Sequence, residues 1–149
     1  MKKILSLVMV MCVVIAMTAC SGNTSMSFTF AVDTGDNVKL ELDTTGGYLR
    51  SANLPFAISH DDDILSQGTF VVGDAYAEYL ELIESDDTAN VIDSGEKNGF
   101  AYTMWNYADK EFNYVIQLSD DTAMVIGNNV SEESARECFD RLTISLVEK

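Results

Sequence analysis

The chain has 149 residues, 47% of them hydrophobic and 22% charged, and its 24 acidic residues against nine basic ones give a net charge of −15. That length suits one domain with a real core, and the acids are dispersed among apolar residues, which argues against disorder. Phosphate recognition needs clustered Lys and Arg, so this charge excludes nucleic acid as a partner.

The chain opens Met1, Lys2, Lys3 and then runs from Ile4 to Met17 with Ser6 as its only polar residue. A charged start, an apolar stretch of this length and small residues before a cut site describe a secretory signal peptide. A membrane span would need about 20 apolar residues, and here polar Ser21 to Ser25 follow directly with no Lys- or Arg-rich flank. Met17-Thr18-Ala19-Cys20 resembles the lipobox of bacterial lipoproteins. That resemblance implies removal of residues 1–19 and a diacylglyceryl thioether on Cys20, with residues 20–26 as lipidated cysteine and short tether and 27–149 as the domain. Two acyl chains give stable anchoring where one gives only marginal binding. The localisation implied is extracytoplasmic, on a bacterial membrane.

Removal of the signal takes away Lys2 and Lys3, leaving seven basic residues against 24 acidic and a mature charge of −17. Such a charge gives no electrostatic help toward anionic lipid. Cys12 leaves with the signal and Cys20 is assigned to lipid, so Cys138 stands alone and no disulfide framework is possible.

Phe28, Phe30 and Val32 alternate with polar or small residues, the two-residue period of a half-buried strand. After the turn at Gly35-Asp36-Asn37, Val38, Leu40 and Leu42 repeat the pattern and predict a hairpin. A third strand is expected within Tyr48–Leu54, and Pro55, the only proline, should mark a strand start or edge. Phe56–Ser59 and Gly68–Val72 read as strands joined across His60-Asp61-Asp62-Asp63. Asp74 is a good N-cap for a helix over about 74–85, with Tyr76, Tyr79, Leu80 and Ile83 as its buried stripe. Ala89–Ser94 is a weaker strand closed by Gly95–Gly99. Phe100–Tyr107 is apolar on both faces and predicts a central strand covered on both sides. Phe112–Leu118 and Thr122–Gly127 follow as strands. Ser131 caps a helix over about 131–142, with Glu132 and Glu133 placed where the helix dipole favours negative charge. Its stripe is Ala135, Cys138, Phe139 and Leu142, and Ile144–Val147 adds a last strand. The class is α+β: a single layered domain, one antiparallel β-sheet flanked by an inserted and a C-terminal helix.

From about Leu54 to Val147 the order resembles the Mog1/PsbP-like superfamily. The resemblance is carried by Gly68–Val72, the Tyr76–Ile83 helix, Phe112–Leu118 with Thr122–Ile126, and Ser131–Leu146. It implies an antiparallel sheet flanked by helices and an accessory or binding role. The family shares no catalytic motif, so it assigns no functional residue here.

Asp61, Asp62 and Asp63 beside His60 form the densest group of possible metal ligands, although consecutive strand residues alternate faces and acidic turns are solvated first of all. A nucleophilic triad would have to use His60, the single histidine. No nucleophile elbow, His-Glu-x-x-His helix or phosphate-binding loop is present. Cys138 lies on a buried stripe and reads as core. Tyr102, Trp105, Tyr107 and Tyr114, with Phe112, are core residues by their alternation, and would line a ligand groove if exposed together. No catalytic residue and no cofactor are assigned. The function expected is a non-catalytic, membrane-anchored binding or accessory module whose partner is an envelope protein or small ligand. The alternative is an extracytoplasmic hydrolase with paired carboxylates, which requires two acids, or His60 and an acid, facing each other in a pocket.

Overall fold

The computed structural model describes residues 24–148, so the apolar run and Met17–Cys20 lie outside the described residues. Ten strands and two helices follow in order: β1 Ser25–Ala31, β2 Asn37–Asp43, β3 Tyr48–Arg50, β4 Phe56–His60, β5 Asp63–Val72, α1 Ala75–Ser85, β6 Ala89–Lys97, β7 Phe100–Tyr107, β8 Glu111–Gln117, β9 Thr122–Asn128, α2 Glu132–Asp140 and β10 Leu142–Val147. The class is α+β, with one helix inserted mid-chain and one near the C-terminus.

Instead of one sheet there are two, both antiparallel. A three-stranded sheet runs β1-β2-β10 and a seven-stranded sheet runs β3-β4-β5-β9-β8-β7-β6. The C-terminal strand pairs with β2 in register, Ile144 opposite Leu40 and Leu142 opposite Leu42. This separation follows from alternation. Val38, Leu40 and Leu42 are fully buried, as are Leu142 and Ile144 to within 1%, so the small sheet has one apolar face that must be covered. It packs that face on the large sheet, against Phe56, Ile58, Met124 and Ile126, in the manner of two stacked sheets.

α2 completes the same layer, placing Ala135, Cys138 and Phe139 in the core. α1 covers the opposite face, where Tyr76, Tyr79 and Ile83 meet Trp105 and Val115. The large sheet is thus covered on both faces, and this explains why β7, β8 and β9 carry apolar residues at consecutive positions.

Several expectations shift. β7 is second from an edge, with β9 in the middle of the large sheet. β1 begins at Ser25, inside the expected tether. β5 extends back to Asp63 because Asp61 and Asp62, at φ 50° and 68°, form a two-residue hairpin turn that brings His60 opposite Asp63. Asp74 stands at the start of α1 but makes no side-chain capping bond. Ser131 does cap α2, its hydroxyl accepting from Ser134 N–H at 3.0 Å. Leu142 belongs to β10 rather than to the helix.

Two backbone positions give stability predictions. Ala108 sits at φ 49° in the β7–β8 turn, where a Cβ costs about 1–2 kcal/mol. Ala108→Gly relieves that strain but adds freedom to the unfolded chain, so a net gain of about 0.5–1 kcal/mol is expected. Gly68 faces the Phe56 ring, whose Cζ lies 2.4 Å from where a Cβ would stand. Gly68→Ala should cost about 1–3 kcal/mol through overpacking. Urea unfolding of the two variants should show midpoint shifts of opposite sign.

Candidate functional site

The apolar stripe of α2 turns inward, so Glu133, Arg136, Glu137 and Asp140 project from its other sides. With Glu132, Asp43, Arg141 and Thr143 they line an open groove of about 920 Å³. Seven ionisable groups therefore share one concavity, and their pairing decides what they can do.

At one end Arg141 holds three segments together. Its Nη1 donates to Thr45 O at 2.8 Å, its Nη2 donates to Glu137 Oε1 at 3.1 Å, and its guanidinium carbon lies 3.8 Å from the centre of the Tyr48 ring. The His60 ring also stacks on Tyr48, with centroids 4.5 Å apart, and its Nε2 donates to Gly46 O at 2.9 Å. His60 is thereby held in the β3–β4 hairpin by a ring face and a carbonyl, and the acid beside it, Asp61 with Oδ2 3.5 Å from Nδ1, stands exposed at the tip of the β4–β5 hairpin and not in a pocket. At the other end Arg136 Nη1 donates to Asp93 Oδ2 at 3.0 Å and its Nε to Glu132 Oε1 at 2.9 Å.

These contacts set the charge states. The hydrogen bond from Arg141, then that from Tyr48, holds the Glu137 carboxyl below its ordinary value. Thr45, through its side chain and then its backbone N–H, holds Asp43 low, with Arg141 adding to the effect. Arg136, then Tyr102, does the same for Asp93. A carboxyl that donates a proton at neutral pH needs a raised pKa, usually from an apolar pocket. These three are pushed the other way, and so are ionised acceptors committed to partners. Of the groove's own acids, Asp43 and Glu137 are ion-paired with Arg141 and Glu132 with Arg136.

The four aromatic candidates do not share a surface. Tyr102 and Tyr114 lie under α2, where Tyr114 stacks on Phe139 at 4.0 Å and Tyr102 meets it edge-on at 5.1 Å. Trp105 and Tyr107 lie on the opposite face of the sheet, with Trp105 against Tyr79 of α1 at 5.6 Å. Tyr114 and Trp105 are buried, while Tyr102 and Tyr107 are half-buried. Burial also raises the Tyr114 hydroxyl well above its ordinary pKa. Asp61, Asp62 and Asp63 are exposed at a hairpin tip, and no three His, Cys, Asp or Glu side chains among the described residues converge to hold a metal ion. Cys138 is buried and free, its thiol pushed up by desolvation. Cys20 lies outside the described residues, and no helix within them is long and apolar enough to cross a membrane.

Arg50, which sequence reasoning passed over, is the most unusual charge in the domain. It belongs to β3, the edge of the large sheet, and is 4% exposed. Nη1 donates to Ser51 O at 3.1 Å, whereas Nε and Nη2 are buried with no acceptor. Its guanidinium carbon sits 4.2 Å from the centre of the Phe28 ring and 5.3 Å from that of Phe30. Desolvation lowers its pKa to about 10, with no carboxylate to oppose it. The one signal was its setting: no Asp or Glu occurs between Thr44 and His60 or between Thr24 and Val32.

Comparison with family models, with curated proteins and with solved structures finds no match to this chain.

Two measurements test the electrostatics. Asp43, Asp93 and Glu137 have folded pKa values below their ordinary 3.8, 3.8 and 4.5, so the unfolded chain takes up protons first as pH falls. Their stabilisation is present above those ordinary values and is lost as pH drops through the folded ones. Urea midpoints should fall steeply below pH 4.5, and more shallowly in Arg136→Gln/Arg141→Gln. Arg50→Met removes a buried, uncompensated charge while keeping apolar bulk, and should raise stability by about 1–3 kcal/mol.

Proposed function

We propose that this chain is a lipoprotein of a bacterial envelope, held at the membrane through lipid on Cys20, whose domain acts by binding and not by catalysis. The observation that carries the reading is Met17-Thr18-Ala19-Cys20 directly behind a charged, apolar leader. Because β1 begins at Ser25, only residues 21–24 separate that cysteine from the domain. Four residues reach at most about 14 Å, so the fold would work close to the membrane surface.

The state of the α2 groove supports the non-catalytic half of the reading. Asp43 and Glu137 are both ion-paired with Arg141 and their pKa values are lowered, so neither suits the proton donor that a paired-carboxylate hydrolase needs. The resemblance to the Mog1/PsbP-like superfamily points the same way, toward an accessory module whose partner is an envelope protein or small ligand.

Cys20→Ser tests the anchor. Fractionation should show the protein moving from the membrane to a soluble or unprocessed form, and a processed variant that stays in the membrane would overturn the assignment. A parallel assay tests the activity. The purified protein should hydrolyse neither envelope glycans nor esters, and turnover that Glu137→Gln or Asp43→Asn abolishes would replace binding with catalysis.

A further inference from the structure

The large and small sheets expose four edges, and they are guarded unequally. β6 carries a bulge between Val91 and Asp93 and the charges Asp93, Glu96 and Lys97, devices that discourage strand addition. β3 has only three residues. On β10 the outward N–H of Ile144 already donates to Asn98 Oδ1 at 2.9 Å. β1 has none of these protections. Its seven residues, Ser25–Ala31, contain no charge and no proline, and among the described residues it pairs only with β2.

The β1 ladder shows which groups are free. Thr44 N–H donates to Thr24 O and Val32 N–H to Asp36 O, so the alternation turns the even-numbered residues toward β2. The main-chain groups of Ser25, Ser27, Thr29 and Ala31 therefore face away from it, with no strand beside them among the described residues. On the inner side of the strand, Phe28 is 36% exposed and covers Arg50. The free edge and the two guanidinium nitrogens that lack acceptors thus lie at one mouth between the two sheets.

Charge decides the occupant. A second copy pairing through β1 brings a strand without acids, and it sets two strongly negative domains against each other. It would leave Arg50 as it is. A carboxylate on the inner face of an added strand, reaching past the half-exposed Phe28, would give Nε and Nη2 the acceptors they lack, in the two-pronged geometry a guanidinium favours. We infer that the free edge of β1 accepts an extended segment of a partner protein, which adds as a strand and presents an Asp or Glu to Arg50. Main-chain bonds supply affinity in such additions and the side-chain contact supplies specificity.

This inference rests on the binding reading above, but its failure is separable, because membrane retention through Cys20 and absence of hydrolysis do not depend on β1. The test uses the full chain purified in mild detergent and two acetylated, amidated probes, Thr-Val-Thr-Glu-Thr-Val-Thr and the same peptide with Lys for Glu. The Glu peptide is expected to bind at least ~10-fold more tightly, the factor that a charge-assisted hydrogen bond provides, and to slow hydrogen exchange at Ser27 and Thr29. Thr29→Pro removes an outward N–H while sparing the β2 ladder, as Pro on an edge permits, and should abolish binding of both peptides. Arg50→Met should erase the preference for Glu and leave weak binding of either. Equal affinity of the wild-type chain for the two peptides, protection at β6 or β10 in place of β1, or a β1-dependent dimer in sedimentation would overturn the inference. The exchange measurement on the wild-type chain decides the matter even where Thr29→Pro fails to fold.

Discussion

The domain depends on one seal, the apolar face of the small sheet pressed on the large one. Val38, Leu40, Leu42, Leu142 and Ile144 form one side of it with almost no exposure. Each such side chain contributes about 1.5–3 kcal/mol on burial, so this row alone supplies roughly 10 kcal/mol before chain entropy is counted. With no disulfide among the described residues, nothing covalent substitutes for it. The seal also dictates topology. β10 must return beside β2, and so α2, which feeds β10 directly, is fixed across the large sheet next to it.

Polar contacts pin the seal at its margins. At the β1–β2 turn, Asp36 Oδ2 accepts from Ser119 Oγ at 2.6 Å and Thr122 Oγ1 at 2.7 Å, tying the small sheet to the β8–β9 turn. At the other end Arg141 bridges Thr45, Glu137 and the Tyr48 ring. Both pins work by giving partners to charges at the rim of an apolar interface, where desolvation is partial and the bonds need not offset a full burial cost. Arg50 departs from that rule. It has the burial without an acidic partner, in a chain where acids outnumber bases by 24 to nine, so this cannot come from a shortage of carboxylates. The segments around it simply contain none.

Alternation and turn residues made most strands and both helices legible, because a buried face imposes a period of two or 3.6 on the sequence itself. Phe100–Tyr107 and Thr122–Gly127 were found nearly to the residue. What sequence did not reveal was assignment of strands to sheets, since β2 and β8 show the same alternation whichever sheet they join. The turn within His60–Asp63 was legible but its tightness was not: Asp61 and Asp62 adopt positive φ without a glycine, so β5 starts at Asp63 and not at Gly68. Candidate sites were less legible still. For the aromatic set alternation was enough to give core, since Tyr102 and Trp105 differ by an odd number of positions and a strand sends them to opposite faces, but which helix covers each face shows only in the fold. Arg50 drew no attention because a single basic residue has no motif. Its significance lies in two nitrogens without acceptors, which only a structure displays.

The anchor and the free edge are connected by the order of the chain. β1 is both the first strand after Cys20 and the unguarded edge of the small sheet. If lipid on Cys20 holds residue 20 at the bilayer, β1 is the strand that cannot leave it, and a partner embedded in or tethered to the same membrane meets that edge at high effective concentration. The remaining acids then act in a consistent sense. On that arrangement their repulsion from an anionic surface would turn the bulk of the domain outward, and the two stretches without acids, residues 24–32 and 44–60, would experience it least. A short tether, a charge of one sign and one neutral edge would then together be sufficient to orient the domain. No basic patch is required for this, and apart from the ion-paired Arg136 and Arg141 the domain does not spend its few cations on building one.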